Sequence, residues 1–209
     1  MRWNSFLKTG AIMFRPMKRD IFVNFTKIIY QKMVLLFPNW AIKTQWYAMS
    51  KNELSYGEKL PKQIYEPRID IAVGPFAMNE QLTDQYDYMI YESSLFLQKM
   101  LNFHTQNVSD KFEILTLESL KNTNFNPRCF MAIEVESGNK DSKYLIGSII
   151  NATALGKVAV LVATNDVRFR QVIYINEYIR YLSSLDKNIT NPQNLIILSY
   201  EQIIEALGE

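Results

Sequence analysis

The chain has 209 residues, 48% of them hydrophobic, with a net charge of +2 and one cysteine, Cys129. That length and composition suffice for one sizeable core, so a single domain over 1–209 is expected. The charge is too small to argue for nucleic acid by itself. A lone cysteine excludes an intrachain disulfide and a cysteine-built zinc site, which fits a reducing compartment.

The opening stretch "MRWNSFLKTGAIMFRPMKRD" lacks the continuous apolar core of a secretory signal. The next, "IFVNFTKIIYQKMVLLF", is interrupted by Asn24, Lys27, Gln31 and Lys32 and is too polar to span a membrane. A soluble, cytoplasmic protein without a membrane partner is therefore expected. Residues 20–37 carry apolar positions at three- and four-residue spacing, which predicts a helix, with Asp20 as N-cap and Pro38 as its stop. This helix belongs to an N-terminal segment, 1–50, ahead of a core at about 67–200. "WAIKTQWYAM" (40–49) has strand-favouring residues, and the polar stretch broken by Gly57 and Pro61 reads as a loop. "RIDIAVG" (68–74) is a short strand.

Residues 79–104 form the longest helical pattern, with Tyr86, Met89, Ile90, Leu97, Met100 and Leu101 on one stripe. The only histidine, His104, falls near its end, where an imidazolium would interact well with the helix dipole. "KFEILTL" (111–117) suggests a strand or a short edge element. A strand at 129–135, a helix at 142–155 capped by Ser142 and ended by Gly156, a strand at 157–163, a helix at 166–185 and a strand at 194–199 follow, closed by a short helix. The nearly continuous β-branched run "KVAVLVA" fits a central strand covered on both faces. This alternation predicts an α/β sandwich with some parallel pairing.

Two features bear on chemistry. No glycine-rich phosphate loop is present. Instead, two apolar strands carry acids. Glu134 and Glu136 leave the same face of one strand about 7 Å apart at the backbone, and Asp70 sits inside "RIDIAV". If the two strands are neighbours, three carboxylates converge. Such a cluster repels itself unless a divalent cation neutralises it, and oxygen-only ligands suit Mg²⁺ or Mn²⁺. Glutamates flanking an edge or pairing with Lys or Arg are the alternative.

Asp70 in "PRIDIAV", Glu134 and Glu136 in "IEVE", and the helix and strand of "GSIINATALGKVAVLVA" together resemble the PD-(D/E)xK nuclease superfamily. The similar part runs from about 67 to 163, with the helix at 20–37 as a leading helix. The resemblance implies a restriction-endonuclease-like three-layer sandwich, a central mixed sheet flanked by helices. It implies a Mg²⁺-dependent nuclease and a homodimer as the assembly; it does not fix DNA against RNA, and a DNA endonuclease of restriction or repair type is the expected function. Asp70, Glu134 and Glu136 would be metal ligands, Glu136 also a candidate base. Two positions depart from the family pattern. Pro67 lies three residues before Asp70, and Glu136 stands where lysine is usual. Lys143, one turn into the next helix, is the candidate replacement, with Lys140 in reserve. Lys140, Lys157, Arg168 and Arg170 are candidate phosphate contacts, with solvated helix starts as the alternative. Trp3, Trp40, Trp46 and Tyr47 could stack on bases but read better as core or dimer contact. A binding module that keeps the fold without the chemistry is the competing function.

Overall fold

The computed structural model of the chain describes residues 19–48, 67–77, 80–108, 114–138, 141–185, 187 and 192–208. Within them, five strands form one mixed sheet in the order β1-β2-β3-β4-β5: Ile42–Tyr47, Arg68–Val73, Cys129–Glu136, Gly156–Ala163 and Leu195–Ser199. The first three pair antiparallel. β3–β4 and β4–β5 pair parallel, each across a helix, as crossover connections require. The α/β expectation is met.

β3 and β4 are buried at every residue. Their alternation divides two cores. Met131, Ile133, Val135, Val158, Val160 and Val162 face one helical layer, while Ala132, Ala159 and Leu161 face the other. The first layer holds α1 (Arg19–Leu36), α2 (Thr83–Glu92), α3 (Ser94–Asn107), α4 (Leu117–Lys121) and α7 (Tyr200–Ala206); the second holds α5 (Ser142–Leu155) and α6 (Asp166–Ser184). Each buried Val, Ile or Leu contributes roughly 1.5–3 kcal/mol.

The long helix expected at 79–104 is two helices. The chain breaks at Ser93, whose hydroxyl and N–H both bond the Met89 carbonyl, at 2.6 and 3.0 Å. A serine satisfying the backbone locally competes with helix continuation. The stripe of six residues named from the sequence is nonetheless buried throughout. Of the expected strand at 111–117, residues 111–113 lie outside the described residues. Leu117 instead opens α4, because Thr116 and Ser119 form a reciprocal capping box. The N-cap of α5 is Asp141, not Ser142, and Gly156 begins β4 rather than ending the helix in a left-handed turn.

Gly156 is needed at that junction. A Cβ there would meet the Val158 carbonyl oxygen at 2.6 Å and the Ala132 backbone nitrogen at 2.9 Å. Backbone of two central strands cannot yield as a flexible side chain can. Gly156→Ala is expected to destabilise by about 1–3 kcal/mol, read as a lower urea midpoint at unchanged slope.

His104 is buried in the last turn of α3, and its Nδ1 accepts the Ile197 N–H at 3.0 Å. Burial first, and the Arg180 charge second, push its pKa down to about 4. It is thus a neutral acceptor between α3 and β5, not the dipole-stabilised cation expected. A base with a depressed folded pKa stabilises fully above its unfolded value, and the contribution is lost as pH falls from about 6.5 to about 4. The loss should total about 3 kcal/mol, with a shallower pH slope in His104→Gln across that window.

Candidate functional site

The acidic residues gather at the carboxyl end of β3, where it runs beside β4 and where α/β sheets commonly bind ligands. Asp70, Glu134 and Glu136 occupy the sheet face covered by α5 and α6, the face of Ala72 and Ala132. The β2–β3 ladder pairs Val73 with Met131, Ala72 with Ala132 and Ile71 with Ile133, and stops there. One step further, Asp70 would stand opposite Glu134. Both strands continue, β2 paired with β1 as far as Tyr47–Arg68 and β3 paired with β4 as far as Glu136–Ala163. The sheet therefore forks between β2 and β3 at its acidic end.

The Asp70 side chain stands in the mouth of that fork. Its Oδ2 accepts the Val135 N–H at 3.0 Å, in place of a strand carbonyl. Its Oδ1 accepts from Gln45 Nε2 at 2.8 Å. Asp70 is 8% exposed and Glu134 7% exposed, so both are mostly withdrawn from water.

Glu136 has a different environment. It is 2% exposed, and Oε2 takes a 3.0 Å ion pair from the guanidinium of Arg168, which is wholly buried. Oε1 accepts from Ser148 Oγ of α5 at 2.6 Å. Asn165 caps α6 by accepting the Arg168 N–H at 2.9 Å, which fixes the first turn from which the guanidinium reaches back to β3. Arg168 Nη1 also bonds Gln171. Glu136, expected as a metal ligand and base, is one half of a buried ion pair. Arg168, expected as a phosphate contact, is the other half.

Lys157, also expected as a phosphate contact, points inward. It is fully buried in β4, and its ammonium donates to the carbonyls of Lys121 and Thr123 at 2.8 and 2.9 Å, near the Phe125 ring. Burial lowers its pKa, opposed in part by the Asp87 charge. It ties α4 and its following turn to the sheet. Lys143 and Arg170 are exposed, on the first turns of α5 and α6. Lys140 and Trp3 lie outside the described residues. Trp46 is core, Trp40 stacks on Phe37 at 4.0 Å against the first core, and Tyr47 is exposed.

Among the described residues, no group of three or more His, Cys, Asp or Glu side chains is placed to hold a metal ion. Asp70 and Glu134 are the two acids that flank the fork. Two hard oxygen donors still fit Mg²⁺, which commonly binds through one or two carboxylates plus water and substrate phosphate. Two contributors went unnoticed in the sequence. Ser148 is the polar interruption of "YLIGSIINA", a readable sign of a buried partner. Gln45 gave no such sign.

No protein-family model, no curated protein and no solved structure matches the chain. Among the described residues, no helix is long and apolar enough to cross a membrane.

Proposed function

We propose that this chain is a Mg²⁺-dependent endonuclease with a restriction-endonuclease-like fold and DNA as its substrate. The observation that supports the reading most is the forked sheet: the antiparallel part of the sheet opens between β2 and β3 where Asp70 and Glu134 share one face. In this reading Asp70 and Glu134 hold the cation. Bound there, Mg²⁺ supplies charge neutralisation at the phosphate and a water of lowered pKa. Lys143, exposed on the first turn of the helix that follows β3, is assigned to the phosphate oxygens, with Arg170 as a backbone contact. Glu136 does not take the family's lysine role; paired to Arg168, it fixes the start of α6 against the end of β3.

That same pair favours a second reading, a module of this fold without the chemistry, because the usual lysine position carries a neutralised glutamate. A supercoiled-plasmid nicking assay with Mg²⁺ or Mn²⁺ separates the two. Cleavage by the wild type that disappears with EDTA and in Glu134→Gln is expected. No metal-dependent nicking, with a retained gel shift of DNA, would favour the binding module.

A further inference from the structure

Gln45 breaks two local rules at once. Its φ is +51°, in the left-handed region that a non-glycine residue rarely occupies. The β1–β2 ladder pairs residues 42–44 and 46–47 of β1 but skips Gln45 and Asp70, which face each other. β1 is the edge strand, so a local distortion there disrupts pairing on one side only. A glutamine in this conformation is retained against an intrinsic cost, and the side chain it redirects bonds Asp70 Oδ1 at 2.8 Å.

The Asp70 carboxylate is thereby gripped from two strands. Oδ1 is held by Gln45 of β1, Oδ2 by the Val135 N–H of β3, across the fork. Each carboxylate oxygen accepts more than one contact, so both bonds fix the orientation of the group without using up its donor capacity. Outer partners of this kind aim a ligand's lone pairs.

We infer that Gln45 is a positioning residue for Asp70, the αL backbone at Gln45 being the device that turns its amide onto the carboxylate. The inference rests on the reading of Asp70 as a cation ligand. It names a residue on an edge strand, 25 positions away in sequence, as part of that site.

Two substitutions separate positioning from support. Gln45→Met keeps the side chain's length and removes its N–H donor. Gln45→Gly also removes the donor but suits the positive φ, so it relieves backbone strain. The measurements are Mn²⁺ binding by titration calorimetry and thermal melting without metal, on the full chain, with Asp70→Asn as reference. The expected result is a dissociation constant for Mn²⁺ raised about 10–100-fold in both Gln45 variants. Metal-free melting of Gln45→Gly should stay at or above that of Gln45→Met. Affinity and stability would then move independently, which a purely structural role would not produce. Mn²⁺ affinities of both variants within twofold of wild type, with binding lost in Asp70→Asn, would overturn the role of Gln45 and leave the cation site standing. Absence of Mn²⁺ binding by the wild type would overturn the cation reading and this inference with it.

Discussion

Arg168→Met is expected to lower the unfolding free energy by about 3–5 kcal/mol, the cost of leaving a buried charge without its partner. Glu136 is 2% exposed and Arg168 is not exposed at all, so water cannot replace the lost guanidinium. Ser148 would keep its 2.6 Å hydrogen bond but carries no charge to offset the carboxylate. The complementary substitution tests the cause. Adding Glu136→Leu to Arg168→Met removes both charges and should recover most of the loss, since well-packed apolar replacements of buried pairs are often neutral or stabilising. Urea denaturation of the two single variants and the double variant gives the coupling directly. A loss below about 1 kcal/mol in Arg168→Met, typical of an exposed pair, would show that Glu136 is solvated and open to other roles.

The parts of the fold that a sequence discloses are those decided by local burial. β3, β4, α5 and α6 were legible because long apolar runs at period two or 3.6 admit few other placements. The same alternation put Asp70, Glu134 and Glu136 on one face once β2 and β3 were neighbours. What was hidden depends on contacts far apart in the chain. Arg168 looks like a solvated cation in a first helical turn, and only folding brings it to Glu136, 32 residues earlier. Lys157 interrupts an apolar strand as a surface lysine would, yet its stem lies within the core and its head finds two carbonyls. Gln45 was invisible because its role follows from one backbone angle in an edge strand. The break at Ser93 was missed because both flanking segments bury the same stripe, so periodicity ran through it unaltered.

Asp70→Asn should abolish metal-dependent cleavage, and it should also cost stability. From charge alone the second effect is unexpected, because removing one of several clustered negative charges relieves repulsion. The hydrogen bonds reverse that expectation. Both partners of Asp70 are donors, the Gln45 amide at 2.8 Å and the Val135 N–H at 3.0 Å. A carboxylate accepts at both oxygens, whereas asparagine offers one oxygen and one NH₂. Keeping the Val135 bond requires the new NH₂ to face Gln45, whose own amide must then flip to present its oxygen; otherwise a donor meets a donor. If the amide nitrogen faces Val135, the buried N–H at the fork loses its acceptor and no strand carbonyl replaces it, since the β2–β3 ladder has already ended. The cost of an unsatisfied buried donor is about 1–3 kcal/mol, and the fold should otherwise persist. Cleavage should fall by roughly 100-fold or more, beyond the span of outer-partner changes. The measurements are nicking rates in Mg²⁺ and the urea midpoint of the metal-free protein. Because the midpoint is read without metal, it reports the lost hydrogen bonds set against the relieved repulsion, with no contribution from a bound cation. An unchanged or raised midpoint in Asp70→Asn, repeated in Asp70→Leu, which can accept neither bond, would mean that Asp70 does not bridge the fork. A lowered midpoint with cleavage intact would leave Asp70 as the clasp between β2 and β3 and remove it from the chemistry.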